Sequence, residues 1–238
     1  MPLGGFEQLE SIIIVPFTLE TLSSLAIGTG KGDGIRDSLV IREGGATSDP
    51  VISGSTIKGV VRSTIEGILA QAMPNKEICI PKVCLRRDEQ PPDNRKADCG
   101  RSNPCPVCQL FGNTEMSGRA NFHDAHVIGM SPETTERTHV ALRRDTKTAA
   151  GGALMTIETV PPHVKFKGEV VLINPEPWMV GAIIHTLNLV PCFGIGAKKT
   201  SGYGEIVINV EDIQYKLKPE PKKNEDFVAT WTEKAKLA

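Results

Sequence analysis

The chain has 238 residues, of which 39% are hydrophobic and 23% charged; this is enough for a packed core in one or two domains and excludes global disorder. Its net charge of −1 and pI near 6.5 exclude a protein with a uniformly basic nucleic-acid-coating surface, although a basic groove is compatible with them. The sequence contains no apolar run that could span a membrane and no signal-peptide pattern, so we expect a cytoplasmic protein.

The first part of the chain predicts two strands separated by a loop. Large apolar residues recur at every second position of Ile13–Leu19, which predicts a strand, and Pro16 within it indicates an edge position or a bulge. The glycine-rich run Gly28–Gly34 predicts a loop, and the apolar residues Leu39–Ile41 predict a short strand after it.

The next predicted element is a helix whose first turns carry two cations. Ser55 is the predicted N-cap of a helix over Thr56–Ala72. Lys58 and Arg62 are four residues apart and therefore share one face, close to a helix N-terminus that attracts anions. We interpret them as a phosphate-binding pair; the alternative is a solvated face with an Arg62–Glu66 ion pair. The predicted apolar stripe consists of Ile57, Val61, Ile65, Ile68 and Ala72.

Residues 76–112 contain five of the six cysteines, several prolines and many charges, which predicts an insertion. Four cysteine ligands at such spacing are typical of structural zinc, whereas free cysteines and a redox dithiol are the alternatives. Cys192 lies far from this group and is predicted to be a core residue. The predicted zinc ligands are Cys99, then Cys105 and Cys108 of a C-x-x-C knuckle, and as the fourth Cys84 or Cys79, of which the nearer Cys84 is preferred.

After the insertion the chain returns to strands and helices. Residues 129–162 form a polar segment that is too long for an ordinary connection and is predicted to be functional. The tail beyond Lys216 is predicted to be mobile or bound to a partner. With the insertions removed, the element order predicts an α+β fold with an RRM-like or ferredoxin-like sheet and helices on one face. The other predicted elements are strands over Asn121–Ile128, Val164–Ile173 and Glu205–Val210 and a helix over Trp178–Leu189.

A second glycine-rich stretch, Phe193–Gly204, contains four glycines and two lysines. Its glycines have the spacing of neither a Walker A loop nor a dinucleotide-binding loop. Backbone amides of such a loop can close around phosphates, and Lys198, Lys199 and Tyr203 suit an extended nucleic-acid backbone with a stacked base. Together with the cationic helix, this stretch indicates a polyanionic ligand, and RNA in particular.

Two groups of polar residues are weaker candidates for chemistry. Asp33 and Asp37 lie in or just after the first glycine-rich loop, where a carboxylate can hold hydrated magnesium against a phosphate or cap a turn. The pattern alone favours the turn. His123, Asp124 and His126 alternate on a predicted strand, so the two imidazoles need not converge with the carboxylate, and a structural role is favoured.

Several of these segments resemble motifs of the RAMP (repeat-associated mysterious protein) superfamily. Gly54–Arg62 resembles its "PGSSLKGxxR" motif, and Gly194–Gly204 resembles its C-terminal glycine-rich loop. Cys105–Gly112 resembles the "CPVCxLFG" sequence of the repeated backbone subunit in type III CRISPR effector complexes. Asn121–Ala125 and Leu142–Pro161 match the usual strand and thumb hairpin. The cysteine-rich insertion makes the chain most similar to the III-D variety.

The resemblance implies an RRM-like palm with a zinc-binding insertion and a thumb β-hairpin, in a subunit that stacks into a filament along CRISPR RNA. In the family the thumb displaces a base pair of the guide–target duplex, and a loop aspartate beside it cleaves the target RNA with a divalent metal. Asp37–Arg42 matches the family's "DSPVIKD" segment, so Asp37 is the implied catalytic residue and Asp33 the reserve. The residues implied to bind RNA are Lys58, Arg62, Lys198, Lys199, Ser201 and Tyr203, together with Arg143 and Arg144 at the thumb base.

The resemblance also implies a division of the chain, a set of partners and two cofactors. The partners are CRISPR RNA, target RNA, copies of the chain or paralogous backbone subunits, and other type III effector subunits. The cofactors are a structural Zn²⁺ and, for cleavage, Mg²⁺ or another divalent cation. The division runs from the first part of the palm (1–75), through the zinc-binding insertion (76–112), a palm strand (113–128) and the thumb hairpin (129–163), to the second part of the palm with the glycine-rich loop (164–210) and a charged tail (211–238).

Two positions depart from the family pattern. Ser53 stands where the helix motif usually opens with proline, and Glu43 follows Arg42 where an aspartate is usual. The alternative function is a backbone subunit that binds guide RNA without cutting, because such a subunit does not need a carboxylate at Asp37.

Overall fold

The computed structural model describes residues 9–45, 47–72, 78–79, 95–96, 104–113, 115–217 and 224–235. Two predicted zinc ligands, Cys84 and Cys99, lie outside these residues. Within them, no helix has the length and apolar character needed to cross a membrane.

The fold is built on one antiparallel sheet of seven strands. Five of them follow the order β10-β1-β9-β6-β2, and the other two pair at the side, β11 with β1 and β5 with β9. Strands β7 and β8 form a separate antiparallel hairpin, and β3 and β4 form a short parallel pair. The strands are β1 Ile12–Thr21, β2 Val51–Ile52, β3 Ile78–Cys79, β4 Arg95–Lys96, β5 Ala120–Phe122, β6 Ala125–Ile128, β7 Thr135–Leu142, β8 Ala149–Thr159, β9 Lys165–Ile173, β10 Ile206–Val210 and β11 Gln214–Leu217. The helices are α1 Gly54–Ala72, α2 Pro106–Phe111, α3 Pro177–Phe193 and α4 Asn224–Ala235.

The core lies between one face of the sheet and the helices. Every second residue of β1 is buried, and these residues belong to the same hydrophobic cluster as the buried sides of α1 and α3. Period-two burial along a strand and period-3.6 burial along a helix are the patterns from which an α+β fold was expected. The mixed α+β class with an antiparallel sheet is therefore confirmed.

Pro16 lies in an internal strand, so of the two alternatives predicted for it, an edge position or a bulge, the edge position is wrong. It pairs with Glu169 of β9 on one side, and on the other its carbonyl accepts the N–H of Glu211 at 2.9 Å. On that second side β1 pairs with β11 up to Ile14 and with β10 from Phe17 onward. The Pro16 nitrogen, which has no hydrogen to donate, thus lies where β1 changes from one partner strand to the other. The proline therefore removes no hydrogen bond between strands.

Helix α1 and its capping residue begin two residues earlier than predicted. Ser53, not Ser55, precedes the helix, and its Oγ accepts the N–H of Thr56 at 3.3 Å. The buried face consists of Gly54, Ile57, Val61, Ile65 and Leu69, so Leu69 replaces the predicted Ala72 at the end of the stripe.

Three other expectations also need correction. Leu39–Ile41 makes isolated bridges, such as Val40 with Gly28, and no continuous strand. The strand predicted over residues 121–128 is two strands, β5 and β6, separated by His123 and Asp124. Cys192 is exposed and is not a core residue.

Residues 224–235, predicted to belong to a mobile or partner-bound tail, form helix α4, which packs on α3. Phe227 and Trp231 are buried, and the Trp231 ring stacks on Trp178 with centroids 6.3 Å apart. Gly181 permits the close crossing, because a Cβ there would lie 1.9 Å from the carbonyl oxygen of Phe227. The four-residue spacing of Phe227 and Trp231 was a helical signal that the charged composition of the tail obscured.

Candidate functional site

The segment that carries Asp37 is attached to strand β8 at the base of the hairpin. The Asp37 N–H donates to the Thr156 carbonyl at 2.8 Å, and the Thr156 N–H donates back to Asp37 Oδ2 at 2.6 Å. The side chain is exposed, and no hydrogen bond from the described residues reaches its Oδ1. One carboxylate oxygen therefore holds the loop, and the other faces solvent beside the hairpin.

Asp33, the reserve candidate, is occupied by its own turn. Its Oδ1 accepts the N–H groups of Ile35 and Arg36, and its Oδ2 pairs with the Arg36 guanidinium at 2.8 Å. The backbone hydrogen bonds from Arg36 and Ile35 are the main cause that lowers the pKa of Asp33. The turn-capping interpretation therefore describes Asp33, and the structure offers Asp37 as the better-placed carboxylate.

Strand β7 of the hairpin is exposed along nearly its whole length, whereas β8 is buried over its last three residues, 157–159, at the hairpin base. Val140 and Leu154 face each other across the two strands and are 48% and 66% exposed, which is unusual for large apolar side chains. Arg143 and Arg144 were expected at the thumb base. They lie instead in the turn between the end of β7 and the start of β8, at the hairpin tip.

Tyr203 connects the glycine-rich loop to the hairpin. Its ring is 5% exposed, its hydroxyl lies 3.0 Å from His139 Nε2, and the Arg137 guanidinium lies over its ring at 5.7 Å. A ring so enclosed has no open face for a base, so the predicted base stacking by Tyr203 is wrong. Ala26 and Ile157 complete this small cluster, which brings three segments together at the hairpin base.

The glycine-rich loop uses most of its amides inside the fold. Ile195 donates to Gly204, Gly204 to Ser24, and Ala197 to Ala26, all near 3 Å. A Cβ at Gly204, whose φ is +75°, would lie 2.0 Å from the Ile195 carbonyl oxygen, so close packing explains this glycine. Most of the amides that were expected to bind phosphates therefore already donate to carbonyl oxygens of the fold. The polar side chains that the loop presents are Lys198, Lys199, Thr200 and Ser201, of which all but Lys198 are exposed.

The N-terminus of α1 is already occupied by a carboxylate. Asp124 Oδ1 accepts the Gly54 N–H at 2.7 Å, in addition to the Ser53 cap. Asp124 thus takes one N–H of this helix end and places a negative charge there, which disfavours a phosphate at the backbone and leaves side chains as its main ligands. Asp124 lies at the break between β5 and β6. Its position in the sequence did not indicate this capping role.

Lys58 and Arg62 differ in their availability. Arg62 donates to Glu66 at 2.9 Å and lies over the Phe111 ring at 5.7 Å, so the predicted Arg62–Glu66 pair is confirmed. Lys58 is partly buried and has no carboxylate partner among the described residues. Burial, and then the nearby Arg62 charge, lower the pKa of Lys58. A phosphate at this lysine would offset both effects, because its negative charge favours the protonated ammonium.

The Asp124 cap is expected to contribute to the folding stability of the protein. Asp124→Ala is expected to lower the free energy of unfolding by about 1 kcal/mol, because the first helical N–H loses its acceptor and the helix dipole its counter-charge. Asp124→Asn, which retains an amide oxygen, should lose less. Urea unfolding followed by circular dichroism measures both variants. Equal stability of Asp124→Ala and the unaltered protein would contradict the capping role.

Cys105 and Cys108 lie at the N-terminal end of the short helix α2. Cys105 is extended, immediately before α2, and Cys108 lies within the first turn, so both point from one end of the helix. Both residues are buried against the core. Within the described residues no group of three or more histidine, cysteine or acidic side chains is arranged to hold a metal. The pair fits two ligands of the predicted four.

His123 and His126 each contact a different carboxylate and do not converge. The Nδ1 of His123 lies 2.9 Å from Glu169, and that of His126 lies 3.6 Å from Glu43. These contacts agree with the structural role that the sequence favoured.

Comparisons with known proteins identify the family of the chain and a solved structure with a similar fold. The model of the RAMP superfamily matches residues 18–207, which is more than half of the chain. A chain in the cryo-EM structure of the Type III-B Cmr-beta bound to cognate target RNA has a similar fold, with a TM-score of 0.59 and 20% sequence identity. The match covers 86% of the present chain and 61% of that chain, so the present chain spans less than two thirds of its length. No curated protein sequence matches.

Proposed function

The chain belongs to the RAMP superfamily, and from this premise we propose that it is a CRISPR RNA-binding backbone subunit of a type III effector complex that cleaves target RNA at Asp37. The observation that carries the proposal is the exposed Asp37 carboxylate, fixed to the base of the hairpin, where Ile157 clusters with Tyr203 of the lysine-bearing loop. The fold likeness to a chain from a type III-B structure bound to target RNA supports the same class. The cysteine-rich insertion favours the III-D variety.

In this proposal the fold binds RNA by shape and charge, and base pairing with the guide supplies the sequence specificity. Lys58 and Lys199 contact guide phosphates, and Lys198 and Ser201 contribute from the same loop. The apolar pair Val140 and Leu154 enters the stack of the guide–target duplex and displaces a base pair. Arg143 and Arg144 contact RNA phosphates beyond that point, because they lie at the hairpin tip.

Asp37 acts by positioning. Its Oδ2 is committed to Thr156, so Oδ1 is the oxygen available to orient the 2′-hydroxyl of the target or to contact a hydrated divalent cation. A bound Mg²⁺ supplies charge stabilisation at the scissile phosphate. A single carboxylate is a sufficient protein ligand, because Mg²⁺ in such sites keeps several waters and takes its other ligands from phosphates.

A second candidate function is a backbone subunit that binds guide RNA without cutting. The hydrogen bond from Thr156 to Asp37 Oδ2 favours it, because that bond gives the aspartate a structural reason to be present. The two functions differ in one result, the cleavage rate of an assembled complex that carries Asp37→Asn.

The RNA-binding part of the proposal is tested by the RNA that accompanies the protein. The chain is produced together with the CRISPR array and the other effector subunits of its source, purified through a tag, and its bound RNA is sequenced. We expect guide RNA to be enriched over all other cellular RNA. Recovery of messenger and ribosomal RNA in proportion to their abundance would contradict guide binding.

We also propose that Cys105 and Cys108 hold one structural zinc ion together with Cys99 and Cys84, with Cys79 as the alternative fourth ligand. Elemental analysis of the purified protein is expected to give about one equivalent of zinc per chain, since metal binding and folding of such modules are coupled. Cys105→Ser should lose the zinc and leave the main sheet folded. A zinc-free protein that retains its native hydrogen exchange around α2 would contradict the site.

A further inference from the structure

We propose that Glu158 is a positioning residue for Asp37, and that its buried carboxylate fixes the aspartate loop to the hairpin so that the two move as one unit. The inference deepens the proposed cleavage function and rests on it. Glu158 does not reach the exposed Asp37 oxygen itself; it acts through the backbone that carries Asp37.

The aspartate loop and β8 form a very short parallel pairing. Its centre is the bridge between Ser38 and Ile157, with the Glu158 N–H donating to the Ser38 carbonyl at 3.0 Å. A carboxylate closes each end of this pairing: Asp37 Oδ2 accepts the Thr156 N–H, and Glu158 Oε2 accepts the Val40 N–H at 2.9 Å. Side chains thus supply acceptors where neighbouring strand residues would do so in a longer ladder.

Glu158 also ties this pairing to the start of the hairpin and to the chain that follows the loop. Its Oε1 accepts from Thr134 and from the Arg42 guanidinium, both at 2.5 Å. Arg42 donates further to the Ser48 carbonyl at 2.7 Å and to Thr134 at 3.0 Å. One carboxylate therefore joins the aspartate loop, the segment behind it and the entry to β7.

The charge of Glu158 is essential to this arrangement. The side chain is 5% exposed, and a buried carboxylate persists only when a cation and hydrogen-bond donors surround it. Burial raises the pKa of Glu158, but hydrogen bonds from Thr134, Val40 and Arg42 outweigh it, and the net pKa is lowered. Glutamine cannot replace it, because only one end of its amide group is an acceptor. In either orientation its NH₂ group would face another donor, the Val40 N–H or the Arg42 guanidinium.

Glu136 provides a matched control. It lies directly opposite Glu158 in the β7–β8 register and carries the same charge, but it is 55% exposed. Its contact with Arg36 is a surface ion pair at 3.6 Å. Glu136→Gln therefore removes the same charge from the same part of the hairpin without opening the buried network.

The experiment compares Glu158→Gln with Glu136→Gln in the assembled effector complex. We expect Glu158→Gln to slow single-turnover cleavage on the order of 10- to 100-fold per assembled complex, because small misplacements of a catalytic group have effects of this size. Target RNA affinity should change by less than about twofold, and Glu136→Gln should change neither quantity by more than that, since its contact is exposed. In the free protein, hydrogen exchange of the Thr156 and Val40 amides should rise only in Glu158→Gln.

A double variant separates positioning from stability. Glu158→Met with Arg42→Met removes the buried carboxylate together with its partly buried cation, so it should fold better than either single change, but it leaves Val40 without its acceptor. We expect the double variant to regain thermal stability and to cleave as slowly as Glu158→Gln. Recovery of cleavage together with stability would overturn the proposal.

The experiments distinguish a wrong positioning role for Glu158 from a wrong catalytic role for Asp37. If Asp37→Asn abolishes cleavage and Glu158→Gln cuts at the normal rate, only the positioning role is overturned. If Asp37→Asn cuts normally, the catalytic role of Asp37 is wrong, and hydrogen exchange alone decides the role of Glu158. Unchanged exchange of Thr156 in Glu158→Gln would then overturn it, and faster exchange would support it.

Discussion

Asp37→Asn is expected to slow target-RNA cleavage by the assembled complex at least about 100-fold, because the loss of a positioned charge at the reacting phosphate is costly. Asparagine retains an oxygen that can accept the Thr156 N–H, so the loop should remain attached to β8. Guide and target binding should survive, because a carboxylate adds no attraction for a polyanion. Single-turnover cleavage and filter binding measure the two quantities.

Asp37→Ala and Asp33→Asn complete this test. Alanine also removes the bond to Thr156, so Asp37→Ala should be less stable than Asp37→Asn by about 1 kcal/mol, the usual worth of such a hydrogen bond. Normal cleavage by Asp37→Asn together with loss of cleavage in Asp33→Asn would move the catalytic role to Asp33. Normal cleavage by both would leave the non-cutting backbone subunit as the function.

The double variant Lys58→Ala with Lys199→Ala is expected to weaken guide RNA binding for every guide sequence. Both lysines lack a carboxylate partner among the described residues, and each phosphate contact to single-stranded RNA contributes about 0.7 to the salt slope of the affinity. Loss of two contacts should therefore make that slope shallower by about 1.4. Affinities measured between low and moderate salt give the slope directly.

Lys167→Ala is the matched control for these lysines. Lys167 lies on β9 and pairs with Glu211 at 3.0 Å, so its charge is already balanced by a neighbour. We expect the salt slope of Lys167→Ala to equal that of the unaltered protein. An unchanged slope in the double variant as well would mean that Lys58 and Lys199 are solvated charges without a role in RNA binding.

The parts of the fold that depend on local patterns could be predicted from the sequence. Alternation over Ile13–Leu19 gave β1, and the recurrence of Ile57, Val61 and Ile65 gave α1. The boundary of α1 was displaced because Ser53 and Ser55 are equally good caps by type, and only the backbone shows which of them precedes the helix.

The contacts that shape the candidate site could not be predicted, because they join distant parts of the chain. Glu158 accepts from Val40, 118 residues away, and Tyr203 meets His139 across 64 residues. Tyr203 looked suitable for base stacking because an aromatic residue in a lysine-bearing loop has that use, and its burial follows only from the position of the hairpin. Asp37 was identified through the family motif, and the structure adds its attachment to Thr156.

The most direct measurement is cleavage of two end-labelled RNAs by the effector complex reconstituted with the unaltered chain. One RNA is complementary to the bound guide, and the other has the same length and composition in a different order. With Mg²⁺ present, we expect the complementary RNA to be cut at fixed positions and the other RNA to remain intact. A complementary RNA that binds the complex and stays whole, or equal cutting of both RNAs, would contradict the proposed function.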